Sequence, residues 1–171
     1  MEIVDYLIQT VPFFIIGGTP YIYEQGVYNE DKNGLVLKSK IQKLLYRDSI
    51  KNTLIQGIYN LLIIQPDIQK NFSDLNNQPA HWVNFKNGYF DVQNWELIPH
   101  DTKYLIINQI PFSFYTDKSN ESENNGICTQ KFLNMSLPDK KEQQTFMQYL
   151  GYCMTTDTRF QKFLMIKGKG G

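Results

Sequence analysis

The sequence predicts an α+β fold of small antiparallel hairpins packed with several helices. Three observations carry this reading. Glycine-containing turns separate short β-prone runs at residues 13–37 and again at 82–98. From about residue 39 to 63 the apolar residues switch to helical spacing. A second helical pattern runs from about residue 129 to 154. At 171 residues the chain fits one domain, or one domain with short extensions.

Within residues 13–37, Tyr21 and Tyr23 alternate with other residues and Gly26 marks a turn. Asn33–Gly34 is a hairpin-type dipeptide between β-prone flanks, so a small antiparallel sheet is expected. Ser39 is a candidate N-cap for a helix starting there. Ile41, Leu44 and Leu45 share a helical face, and Ile50, Leu54, Ile55, Ile58, Leu61 and Leu62 repeat the pattern. The phase slips by one residue between Leu45 and Ile50. Two helices with a break near Asp48–Ser49 fit at least as well as one long helix, and Pro66 ends the region.

Residues 66–80 read as a connector. Trp82–Lys86 and Tyr89–Val92 then read as strands around an Asn87–Gly88 turn, with Trp95–Ile98 as a further short edge. An aromatic hairpin of this kind needs another surface over its apolar face. Residues 104–115 read as another strand, bent or ended by Pro111. The polar stretch 117–126 reads as an exposed loop. Two helices are expected after it, one over about 129–135 and one capped by Ser136 with Asp139 three residues on. Phe146, Met147, Leu150, Cys153 and Met154 line one face of the second. Phe160–Ile166 is a short, β-prone final element.

Composition excludes some classes. With 42% hydrophobic and 14% aromatic residues there is material for a core, which argues against wholesale disorder. Basic and acidic residues number 17 each, so only a local patch could argue for nucleic acid. No apolar run is long enough to cross a bilayer, and the first residues carry acids where a secretory signal would be basic. Cys128 and Cys153 suggest no disulfide framework. A cytoplasmic protein without a membrane partner is the expectation.

The chemical signals are sparse. His81 and His100 stand outside any Cys/His/Asp cluster of zinc-site spacing, so no metal site is expected. Glu121 and Glu123 lie in the polar loop, and Glu30–Asp31 are adjacent beside a turn. There is no D-x-D pair and no serine–histidine–acid spacing, so no catalytic residue is assigned. A basic cluster is more informative: Lys38, Lys40, Lys43, Arg47 and Lys51 share a stretch whose sole acid is Asp48. If one helix ran through it, Lys40, Lys43, Arg47 and Lys51 would share a face opposite the apolar stripe, suited to phosphates. The plainer reading is a solvated helix surface. A second basic cluster comprises Arg159, Lys162, Lys167 and Lys169. Tyr89, Phe90 or Trp95 could stack on single-stranded bases, although aromatic hairpins usually bury their rings.

At the end of the chain, the strand-like run FLMIK leads into Gly168, Lys169, Gly170 and Gly171. These fill four of the eight positions of a phosphate-binding loop, G-x-x-x-x-G-K-[ST], without its phosphate-reaching lysine and magnesium-binding hydroxyl. Three stretches then carry a resemblance. VNFKNGYFDVQNWELIPHD presents Asn87, Gly88, Asp91, Leu97, Pro99 and His100. FMQYLGYCMTTDTRFQKFLMIKGKGG presents Gly151 and the glycine-rich end. YIYEQGVY is the third and looser match. By their order and spacing along the chain they resemble the D5 N-terminal-like domain of phage and plasmid primase–helicases, a region directly preceding a superfamily 3 helicase ATPase.

The resemblance implies a division into residues 1–157, the D5 N-terminal-like domain, and residues 158–171, the first strand and first half of Walker A of a missing P-loop ATPase domain. It implies an accessory or linker role in DNA replication, between an upstream primase domain and a downstream helicase. ATP and Mg2+ would belong to the intact parent, a hexameric helicase, and not to this stretch. Within that role, DNA contact through Lys40, Lys43, Arg47 and Lys51 and organisation of the oligomer both stay open. Two other classes are carried beside it. One is a self-contained enzyme with a site near Asp91, Glu96 and His100. The other is a protein–protein adaptor without nucleic-acid contact, which a large exposed aromatic patch would favour.

Overall fold

The computed structural model describes residues 2–47, 50–115 and 126–168. The expected polar loop, apart from Gly126, lies outside the described residues, as do Asp48–Ser49 and Lys169–Gly171. The chain divides into two compact units: residues 1–78 with 100–111, and residues 79–99 with 112–171. The α+β class is as expected, with two small antiparallel sheets and several helices.

The first unit opens with a helix the sequence reading did not anticipate, α1 (Glu2–Thr10). Glu2 and Asp5 complement the positive end of its dipole, and Val4 and Leu7 bury one face. Strands β1 (Phe13–Ile16), β2 (Thr19–Glu24) and β3 (Val27–Glu30) form an antiparallel meander in that order. Every residue of β1 is buried because both faces of the sheet are covered. Phe13, Ile15 and Ile22 face Val4, Leu7, Leu37, Ile41, Tyr59 and Leu62 of the helices. Phe14, Ile16 and Tyr28 pack with Tyr21, Tyr23, Leu75, Leu105 and Ile107. Both sheet edges are also covered. The Ile15 carbonyl accepts from the Lys70 amide (2.9 Å), and the Tyr28 amide donates to the Ile106 carbonyl (2.7 Å).

Asn33–Gly34 does not form a hairpin. It lies in a 3-10 turn (Lys32–Gly34) that runs directly into α2 (Leu35–Leu44). Ser39 is therefore inside the helix and caps nothing. The cap is Asp31, whose buried carboxylate accepts from the amides of Val36 and Leu37, both at 2.9 Å. It satisfies two first-turn amides from across the 3-10 turn. Asp31→Ala is expected to cost about 1–2 kcal/mol, read from chemical denaturation. A loss below about 0.3 kcal/mol would show that water replaces the carboxylate.

α3 (Asn52–Ile63) comes next, so the phase slip did mark two helices. The chain after α3 makes 3-10 turns at Pro66–Ile68 and Phe72–Asp74. Residues 104–115 form no named strand. Leu105 sits at φ +46°, which breaks an extended run, and the carbonyls of Tyr104, Leu105, Ile106 and Phe112 accept scattered single bonds from the amides of Asn77, Asn76, Tyr28 and Lys86.

In the second unit β4 (Trp82–Phe85), β5 (Gly88–Asp91) and β6 (Glu96–Ile98) form another antiparallel meander. Phe85 pairs with Gly88, so the turn residues are Lys86–Asn87, one position earlier than expected. Gly88 is a strand residue: at φ +155°, a Cβ there would lie 2.7 Å from the Ile98 carbonyl oxygen of β6. Asn87 instead grips residues beyond the sheet. Its amide donates to the Phe114 carbonyl (2.7 Å) and its carbonyl accepts from the Phe114 amide (2.9 Å). The Phe114 ring then lies on Phe85 and Phe90, with ring centres 5.0 and 4.1 Å away, the cover an aromatic hairpin needs.

Helices α4 (Ile127–Ser136) and α5 (Lys140–Cys153) complete this unit. The cap of α5 is Asp139, not Ser136: its carboxylate accepts from the Lys141 and Glu142 amides. Buried Gln143 ties the two helices, donating to the Leu137 carbonyl (2.6 Å) and the Asn134 side chain (3.1 Å). The final element is not a strand. Residues 160–168 are exposed coil apart from half-buried Leu164, because an extended run becomes a strand only with a partner to pair with.

Candidate nucleic-acid interface

The basic stretch does not lie on one helix face. α2 ends at Leu44, where Leu45 turns extended and its amide bonds back to the Gln42 carbonyl (3.2 Å). Lys40 is half-buried and Lys43 is exposed, both on α2. Arg47 is exposed beyond the helix, and exposed Lys51 is the N-cap position of α3. The arrangement is an elbow between two helices, carrying cations on its arm and tips. The amino end of α3 adds a partial positive charge to it.

Lys38 is not part of this surface. Its ammonium donates to the Asn33 carbonyl (3.0 Å) and lies 4.6 Å from the centre of the Tyr59 ring, where it serves packing. In contrast, among the described residues Lys40, Lys43, Arg47 and Lys51 make no ion pair. Asp48, the acid of this stretch, is outside the described residues. The elbow also carries a residue the sequence reading passed over: Tyr46 is 88% exposed. The signal was an aromatic falling between two cations in a break, off the apolar stripe. Conversely, Tyr89 and Phe90 are buried, and exposed Trp95 lies edge-on against Phe90 at 5.1 Å.

Asp91, Glu96 and His100 are separately engaged. Asp91 is buried in β5 and accepts from the Gln93 amide (2.8 Å), the Asn94 amide (3.0 Å) and side chain (2.9 Å), and the Trp82 indole (3.1 Å). Burial works to raise its pKa, and the Asn94, Gln93 and Trp82 hydrogen bonds outweigh it, holding the carboxyl at about 2. A carboxylate so saturated anchors the turn after β5 and is a poor proton shuttle. The histidine beside it is His81, 3.6 Å away. Glu96 is exposed on β6. His100 belongs to the first unit, where its ring packs against Gly26 in the β2–β3 turn.

The remaining signature positions carry little chemistry. Pro99 is exposed. Gly151 lies on α5 with open space where a side chain would be. Gly168 is in exposed coil, and Lys169, Gly170 and Gly171 lie outside the described residues. The described part of this stretch, residues 158–168, forms no strand. In the second basic cluster, Arg159 is paired with Asp157 at 2.6 Å, leaving exposed Lys162 and Lys167. Both cysteines are free and exposed. Among the described residues no group of three or more His, Cys, Asp or Glu could hold a metal ion. None of the described helices is long and apolar enough to cross a membrane.

Comparison with curated proteins gives no match. A family model described as "D5 N terminal like" matches residues 27–164, from the start of β3 to the exposed coil after α5. That span includes the elbow and the whole β4–β6 meander, and the chain belongs to the D5 N-terminal-like family, which is associated with phage and plasmid primase–helicase proteins.

Proposed function

We propose that the chain is an accessory domain of a phage or plasmid replication primase–helicase, and that it engages DNA through the α2–α3 elbow. The observation that carries the DNA role is the set of exposed cations at the elbow, Lys43, Arg47 and Lys51, without acidic partners among the described residues. Such cations neutralise phosphates and release counterions, which gives affinity without sequence readout. On this reading residues 158–171 lead toward an ATPase domain. ATP, Mg2+, an upstream primase domain and a hexameric assembly are properties of the parent protein.

The test is binding of single-stranded, duplex and forked DNA at two salt concentrations. Log affinity should fall linearly with log salt. The Lys43→Gln/Arg47→Gln/Lys51→Gln variant should flatten that slope by about 2 on a single strand. No binding at about 50 mM salt would end the DNA role.

A second reading, oligomer organisation, has its own observation. Met147 and Leu150 on α5, and Met154 at its C-cap, are each more than 40% exposed. Self-association that persists at high salt and is lost in Leu150→Lys would favour it.

A further inference from the structure

We propose that the elbow is a single-strand nucleic-acid site, in which the Tyr46 ring stacks on a base while Lys43, Arg47 and Lys51 neutralise the phosphates on either side. This rests on the DNA-engaging reading above and adds the form of the ligand and the residue that selects it. Three features of the elbow lead there.

Tyr46 is the most exposed large hydrophobic side chain among the described residues, at 88%. Folding gains almost nothing from an aromatic ring left in water, so its packing does not account for it. Tyr46 also sits between cations, three residues after Lys43 and one before Arg47, with Lys51 at the start of α3. Chain length bounds their separation: Arg47 and Lys51 are four residues apart, so their backbones cannot be more than about 14 Å from each other. That confines the cations to a stretch a few nucleotides can track. Leu44 and Ile50, two residues before and four after Tyr46, are 38% and 39% exposed and add apolar surface to the same stretch.

The chemistry favours a single strand over a duplex. Stacking on an aromatic ring needs a base whose face is free, and in a duplex both faces are covered by neighbouring pairs. The ring and the cations also lie where two helices meet and not along the face of one, so they present no continuous basic helix face to a major groove. The recognition is therefore of a π-face and its phosphates, which single-stranded DNA and RNA share.

The experiment measures affinity of the whole chain for oligothymidylate, oligouridylate and a duplex of equal length, each across a salt series. Four proteins are compared: wild type, Tyr46→Ala, Tyr46→Phe and the triple Gln variant. Tyr46→Ala should weaken single-strand binding roughly 5- to 100-fold with an unchanged salt slope, because stacking releases no counterions. Tyr46→Phe should bind as wild type does, and duplex affinity should not respond to Tyr46→Ala. Thermal melts should coincide for all four proteins, since the substituted side chains are exposed.

Salt-sensitive binding that ignores Tyr46→Ala but fails in the triple variant overturns the stacking site and leaves the DNA reading intact. Loss in Tyr46→Phe equal to that in Tyr46→Ala also overturns it, assigning the contact to the hydroxyl. Absence of salt-sensitive binding by every probe overturns both. A difference between the thymidylate and uridylate probes identifies which nucleic acid the site takes.

Discussion

Gly34→Ala is expected to cost about 2–5 kcal/mol, a large share of the stability of a domain this size. Two effects add at one atom. Gly34 sits at φ +66°, in the left-handed region, where an L side chain costs about 1–2 kcal/mol. A Cβ there would also run into the Tyr59 ring. Tyr59 is 8% exposed in the core shared by α2, α3 and the first sheet, so the ring has little room to retreat. Overpacking of this kind typically adds about 1–3 kcal/mol. Gly17 separates the two contributions. It has a similar φ, +56°, with open space where a Cβ would lie, so Gly17→Ala should carry the backbone cost alone. Equal losses in the two variants, measured by urea denaturation, would remove the steric argument. The position also bears on function. Moving Tyr59 displaces Lys38 and loosens α2 against α3, the two helices whose ends set Lys43 and Lys51. On the DNA-engaging reading, affinity is therefore expected to fall in Gly34→Ala, although Gly34 is buried and carries no charge.

Periodicity made much of the fold legible, and its failures have local causes. The slip between Leu45 and Ile50 gave two helices, because a stripe cannot change phase within one straight cylinder. Helix starts were misplaced for one reason in two places. The reading looked for a hydroxyl residue next to the apolar run, and the structure uses aspartates. Asp31 caps α2 from across a 3-10 turn, and Asp139 displaces Ser136 at α5. The strand expectations at 104–115 and 160–166 failed together. Both rest on β-prone composition, and composition cannot say whether a pairing partner is at hand.

The candidate site was half legible. Charge pattern picked out Lys43, Arg47 and Lys51, which the structure leaves exposed and unpaired with acids among the described residues. It also picked out Lys38 and half-buried Lys40, since a sequence does not reveal which lysines hold packing contacts. Tyr46 was missed because the aromatic signal was sought where aromatics are dense. Dense aromatics bury one another, as Phe85, Phe90 and Phe114 do. A lone ring in a polar break has nothing to pack on.

The other large effect concerns acid. Asp91 should make the second sheet acid-sensitive over a defined range. Its folded pKa, about 2, lies below the ordinary carboxylate value of 3.8. A depressed carboxylate stabilises the fold fully above the unfolded value and loses that contribution as pH falls through the folded one. The Asp91 contribution should therefore be flat from neutral pH to about 5, then decline toward pH 2. Trp82 reports it directly, since its indole donates to the Asp91 carboxylate (3.1 Å) and stacks on Tyr89 (5.7 Å). In a Trp95→Phe background, Trp82 fluorescence should titrate between these limits. Asp91→Asn keeps the shape of the side chain and can still accept, so it should fold with a reduced acid transition. Asp91→Ala leaves the indole and the Gln93 and Asn94 amides without their acceptor, and should lower the melting temperature by more than about 5 °C. An acid transition identical in wild type and Asp91→Asn would mean that another carboxylate governs it. That result would leave Asp91 a hydrogen-bond acceptor whose charge is incidental. The saturated geometry argues the opposite, because the turn of Gln93 and Asn94 closes around two ionised oxygens, each with more than one donor.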